Sequence, residues 1–132
     1  DVCSSDLTDL QSELLQNGYA VLSDLDYEPG SSKLGAGPFR SLQELATFMD
    51  TQPEAEIILV GHTDNTGASD ANIALSKRRA ASVVERLVTQ YGIAAKRLTA
   101  DGVGFLAPLT ANTTKSGREQ NRRVEAVIKR LQ

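Results

Sequence analysis

The segment 57–87, IILVGHTDNTGASDANIALSKRRAASVVERL, constrains the fold more than any other part of the chain. It joins an apolar run of strand length to a long helical pattern through one glycine-containing loop. The run EIILVG at 56–61 has no polar alternation, so it predicts a central strand buried on both faces in the middle of a sheet. Asp70 is placed to cap a helix over 71–91, roughly 30 Å long at ~1.5 Å per residue, and Gly92 to close it in a left-handed conformation. Two opposite charges punctuate this unit: Asp64 just past the strand and Arg79 fifteen residues later inside the helix. If the loop folds back, both reach one pocket, and the pocket suits a ligand carrying an ammonium and a carboxylate together.

A wheel at ~100° per residue puts Ile73, Ala80, Val84, Leu87 and Tyr91 on one line, the expected core stripe. Asn72, Ser76, Arg79 and Val83 form a second line about a quarter turn away. Arg78 points to the solvent back of the helix with Ala74 and Glu85, whereas Arg79 borders the core edge. A guanidinium there, near a helix start and a glycine-containing turn, can offer its planar fork to a carboxylate, which a lysine cannot do bidentately. The end of a central strand is also where open α/β sheets hold ligands, and the NTG turn at 65–67 can aim backbone N–H groups there. Spacing alone leaves two other readings open: Asp64 and Arg79 pair with each other, or Asp64 bonds the backbone of its own loop.

The rest of the chain fits an alternation of helices and strands. Leucines at 7, 10, 14 and 15 predict a short helix over 8–17, stopped at Gly18. YAVLSDL at 19–25 predicts the first strand, and DYEPGSSKLGAGP a loop. A helix follows over 39–50, with Leu42, Leu45, Ala46 and Met49 on one side and Pro53 beyond its end. Further strands are expected over 98–103 and within RRVEAVIKR at 122–130, whose Val124, Ala126 and Ile128 alternate with charged neighbours; a loop and a short turn or helix lie between them. The expected fold is a two-layer α/β (α+β) sandwich, a mixed four-stranded sheet with helices packed on one face and the other open to water.

A chain of 132 residues has the size of one domain with one core. The first seven residues, DVCSSDL, equal the translation of GACGTGTGCTCTTCCGATCT, the end of a widely used sequencing adapter, and are expected to be a non-native tail. The domain is then 8–132, and any signal or anchor lies upstream. The only cysteine, Cys3, belongs to that tail, and without Asp1 and Asp6 the chain has 15 acidic against 14 basic residues. This near-neutral balance does not suggest a nucleic-acid partner. No apolar run approaches the ~18 residues of a membrane span.

Other chemistry is weakly signalled. His62 is the only histidine, which leaves no complete Ser-His-Asp or Cys-His set and no zinc spacing; a structural hydrogen bond at the strand end is its expected use. GVGFLA at 102–107 fits G-x-G-x-x-A, but Pro108 stands where a dinucleotide fingerprint needs a helix. GREQNRR at 117–123 is interleaved with Glu119 in a chain with 5% aromatics, so internal pairing and support of the adjacent loop are expected rather than nucleic-acid binding.

The strings GHTDNTG, NIALSKRRAASVVERL and RLTADGVGFLAPLTANTTKSGREQNRRVE together resemble the OmpA-like C-terminal domain, the peptidoglycan-binding module of Gram-negative outer-membrane proteins and lipoproteins. Its pattern, TD, G, then N-x-x-L-S-x-x-R-A, is met by Thr63, Asp64, Gly67, Asn72, Leu75, Ser76, Arg79 and Ala80, and the later N-R-R by Asn121, Arg122 and Arg123. The resemblance implies that the ligand is the diaminopimelate residue of the peptidoglycan stem peptide, with Asp64 taking its ammonium and Arg79 its carboxylate. Asn72 and Thr66 are the expected supporting contacts. The family's F-D-F-like run near the first strand is replaced here by DLDYEPGSSKL, where Glu28 stands near the acidic position and Pro29 alters the loop.

The resemblance implies a non-enzymatic module without cofactor or metal, on the periplasmic face of a Gram-negative outer membrane, tethering that membrane or one of its proteins to peptidoglycan. Attachment to the membrane would come from an upstream region, and a homodimer is compatible. A stator-like or dimerising module of the same fold, and a wall hydrolase using Asp64 or Glu28, are the alternatives.

Overall fold

The computed structural model describes residues 9–25 and 27–131. The first seven residues, expected to be foreign, lie outside the described residues. Helix α1 (Asp9–Asn17) leads into strand β1 (Tyr19–Val21), and helix α2 (Arg40–Thr51) into strand β2 (Glu56–Gly61). Helix α3 (Ser69–Tyr91), a 3-10 turn (Ala95–Arg97) and strand β3 (Leu98–Gly102) follow, and helix α4 (Lys115–Asn121) precedes strand β4 (Val124–Arg130). The sheet has the order β1-β4-β2-β3, with β2 parallel to β3 and antiparallel to β4, which is itself antiparallel to β1. This is the expected mixed four-stranded sheet.

β2 is interior, but only one of its faces is buried. Ile57, Leu59 and Gly61 are covered by the helical layer, while Ile58 and Val60 are half-exposed. An apolar run without alternation overstates burial here because β-branched residues also suit a partly open sheet face. On the covered face Leu59 lies opposite Ala126 and Gly61 opposite Val124, and Leu59, Ala126 and Val124 join Leu14, Leu42, Leu45, Met49 and Leu87 in one core.

β1 ends earlier than expected. The Leu22 N–H still bonds to the Val124 carbonyl, but the Leu25 N–H then turns back to Leu22. The turn places the Asp24 carboxylate over the start of α2, where it accepts from the Ser41 N–H at 3.1 Å and from the Ser41 hydroxyl. A residue that reads as part of a strand is therefore used to satisfy an open helix N-terminus.

α3 also starts before the expected position. Ala68 is its N-cap and Asp70 lies in the first turn, where its carboxylate accepts from the Ala71 N–H and favours the positive end of the helix. Gly92 closes the helix at φ 70°, as expected. The wheel needs a larger correction. The second line, Asn72, Ser76, Arg79 and Val83, is buried, whereas Ile73, Val84 and Tyr91 of the expected stripe are only partly so.

The reason lies in two glycines paired across β2 and β3, Gly61 and Gly102. A Cβ on Gly61 would come within 1.9 Å of the Ser76 carbonyl oxygen, and one on Gly102 within 2.2 Å of Ser76 Oγ. Without these side chains the helix backbone settles onto the sheet at Ser76. The flanking turns then press Asn72 and Arg79 inward, towards the carboxyl end of β2.

Candidate functional site

Beyond β2 the chain stays extended, with the His62 N–H bonded to the Arg123 carbonyl at 2.8 Å and the Thr63 N–H to the Gly104 carbonyl at 2.9 Å. These bonds present Asp64 at the floor of a cavity of about 300 Å³. Asp64, Thr63, Asn72, Arg79 and Arg122 line it with Thr66, and Pro29, Gly30 and Leu75 complete the wall. The structure thus brings together Asp64, Arg79, Asn72 and Thr66, the four residues singled out from the sequence, and adds Arg122, Thr63 and the 29–30 loop.

Asp64 is 5% exposed and both of its oxygens have partners. Oδ1 accepts from the Thr66 N–H at 2.9 Å and Oδ2 from Arg122 Nη1 at 2.6 Å. Burial opposes ionisation, but the Thr66 N–H and the Arg122 guanidinium outweigh it and hold the carboxyl below the usual aspartate value. Of the two readings that spacing left open, the loop bond is present. Among the described residues, the ion pair is with Arg122 rather than Arg79.

Arg79 does not border the core; it is fully buried within it. Nε donates to the Ser31 carbonyl at 2.8 Å, Nη1 to that of His62 at 3.2 Å and Nη2 to that of Glu28 at 3.1 Å. Its guanidinium carbon lies 5.1 Å from the centre of the Tyr27 ring. Burial lowers its pKa from 12.5 to about 10, which still leaves it cationic at neutral pH. A guanidinium has five N–H donors, so these bonds leave one uncommitted on each terminal nitrogen, the number a carboxylate takes bidentately. Arg78 is exposed, as expected.

The supporting residues set the walls. Asn72 Nδ2 donates to the Thr66 carbonyl at 3.0 Å and so holds the turn that bonds Asp64. The Tyr27 hydroxyl lies 3.3 Å from both the Arg79 carbonyl and Ser82 Oγ, with its pKa raised by burial. Arg86, two turns along α3, donates to the carbonyls of Leu34, Gly35 and Ala36, so two arginines of one helix hold the long loop against the cavity. The Glu28 side chain is exposed and lines a neighbouring cavity, so what this residue brings to Arg79 is its carbonyl.

Arg122 was missed as a site residue because its arginine-rich run reads as loop support. The run does serve that purpose: Asn121 Oδ1 accepts from the N–H groups of Leu109 and Thr110, and Arg118 donates to the Asn112 carbonyl. The available signal was its place in N-R-R, one of the quoted motifs. His62 departs from expectation: among the described residues both buried ring nitrogens find no hydrogen bond, and Nε2 lies 3.6 Å from Glu125 Oε1. The Thr63 hydroxyl, beside the cavity, is likewise buried and without a partner among the described residues.

Fold and site define an α/β domain with a cavity at the carboxyl end of its central strand, lined by one carboxylate and two arginines. Comparison with known proteins assigns the family: the OmpA family model matches residues 27–122, and the chain belongs to the OmpA family. It is 37% identical to outer membrane porin F of Pseudomonas aeruginosa over 82% of its own length and 31% of that protein. It is 38% identical to the peptidoglycan-binding protein ArfA of Mycobacterium tuberculosis over 68% of its own length and 27% of that protein. The chain thus spans about a third or less of these two relatives. Among solved structures, the peptidoglycan-associated lipoprotein of Burkholderia pseudomallei superposes with a TM-score of 0.71 at 26% identity, covering 80% of this chain and 88% of that one.

Proposed function

We propose that this domain binds peptidoglycan without covalent chemistry, by holding the free end of a diaminopimelate residue of the stem peptide in the Asp64/Arg79 cavity. The single observation that carries the reading is a buried arginine with two uncommitted donors lining the same cavity as a carboxylate held ionised by its neighbours. A carbon bearing both an ammonium and a carboxylate matches that pair of groups, with the ammonium on the free lone pairs of Asp64 and the carboxylate on the Arg79 fork. Thr66 and Asn72 act by holding Asp64 and its turn. ArfA, described by its name as peptidoglycan-binding, and the peptidoglycan-associated lipoprotein support the same ligand class.

In this reading the protein is a tether rather than an enzyme. It works at the periplasmic face of a Gram-negative outer membrane, attached through a part of the protein other than this domain. Co-sedimentation with purified sacculi tests it. Wild type should pellet, and Asp64→Asn, which keeps the shape and removes the charge, should stay in the supernatant. Equal pelleting of both would refute the assignment.

A further inference from the structure

The cavity that holds Asp64 has a larger neighbour. A second cavity of about 590 Å³ is lined by Tyr27, Glu28, Pro29, Lys115, Glu119 and Arg122. Pro29 and Arg122 belong to both, so the two share a wall. Arg122 is already committed to Asp64, but among the described residues the side chains of Lys115, Glu119 and Glu28 form no ion pair. The outer cavity thus offers one free ammonium and two free carboxylates at an opening that adjoins the inner pocket.

This inference rests on the reading proposed above. A diaminopimelate held by its free end is still joined at its other end to the peptide, and that peptide must leave the inner pocket through an opening. We infer that the outer cavity is a second subsite for the stem-peptide residue preceding diaminopimelate, with the Lys115 ammonium taking that residue's free α-carboxylate. The mixed charge of the wall suits a peptide: the Glu28 and Glu119 carboxylates accept from its amide N–H groups, and Lys115 meets the α-carboxylate of the preceding residue. A purely acidic ligand would be repelled by Glu28 and Glu119. Both ion-pair partners stay partly solvated, so the contribution is modest and salt-sensitive, and it adds selectivity for the joined peptide over the free amino acid.

The test uses calorimetric titration of wild type and Lys115→Gln with three probes. These are free diaminopimelate, the tripeptide L-Ala-γ-D-Glu-diaminopimelate, and the same tripeptide with the glutamyl α-carboxylate amidated. Wild type should bind the acidic tripeptide about three- to fivefold more tightly than the amidated one, the range of an exposed ion pair. Lys115→Gln should lose that preference while binding free diaminopimelate as wild type does, because Lys115 lies outside the inner cavity. Equal loss of affinity for both tripeptides, or a preference that survives the substitution, would overturn the subsite. Failure of wild type to bind free diaminopimelate would overturn the inner-pocket reading and this inference with it.

Discussion

Arg79 and Arg97 use their side chains in nearly the same way and end up with different roles. Arg97 donates to the carbonyls of Met49 and Gln52 at the end of α2 and of Ala55 before β2, and so holds that helix end against the sheet. Arg79 likewise spends three bonds on carbonyls, those of Glu28, Ser31 and His62. Neither forms an ion pair among the described residues. The difference is what surrounds the unused donors. Arg97 is partly exposed, so water can satisfy them, whereas Arg79 is fully buried and lines the cavity it shares with Asp64. A buried donor without a partner costs about 1–3 kcal/mol, so Arg79 is poised for an acceptor that enters the cavity.

The largest expected effect follows from that burial. Arg79→Ala removes three hydrogen bonds to carbonyls, of which that of Glu28 keeps the Ser31 N–H, and leaves a void in the core, and should lower unfolding free energy by about 4 kcal/mol in urea titration. Loss of binding by this variant would therefore say little about ligand contact. Arg79→Lys separates the two roles: it should cost about 2 kcal/mol of stability, yet weaken diaminopimelate binding about tenfold or more, because an ammonium cannot reproduce the fork. Arg97→Ala, which removes the same number of carbonyl bonds at a wetter site, should lower stability by about 1–2 kcal/mol and leave binding unchanged. Reduced ligand affinity in Arg97→Ala would break the comparison.

Acid supplies a milder perturbation. The Asp64 carboxyl is held below its ordinary value of 3.8 by the Thr66 N–H and Arg122, against the effect of burial. Its contribution to stability is thus complete well above pH 3.8 and is lost as the pH falls through the depressed value. Denaturation monitored between neutrality and strong acid should show a late loss that Asp64→Asn lacks. Arg78→Ala gives the smallest effect: exposed on the same helix, it should change stability by no more than about 0.5 kcal/mol and leave binding as it was.

Much of this molecule was legible in its sequence wherever the cause was local. The bounds of β2, the left-handed close at Gly92 and the solvent position of Arg78 all follow from patterns within a few residues. Loop and helix spacing placed Asp64 and Arg79 near the strand end, where the structure has both, but spacing left their use open and the resemblance singled them out. What escaped depends on contacts distant in sequence. The roll of α3 is set by Gly61 and Gly102 meeting Ser76, so a wheel drawn from the helix alone puts Arg79 at the core edge instead of inside it. The early end of β1 depends on Asp24 meeting Ser41, and Arg122 reaches Asp64 across 58 positions of sequence.

The central claim is that the Asp64/Arg79 cavity holds the free end of diaminopimelate, and an amide-shift titration of the ¹⁵N-labelled domain with the free amino acid tests it most directly. Saturable shifts are expected to centre on residues 62–80, with Arg122 and the 28–31 loop following because they bond to Asp64 and Arg79, and to be lost in Asp64→Asn. An unchanged spectrum at millimolar ligand, or shifts confined to another part of the surface, would contradict it.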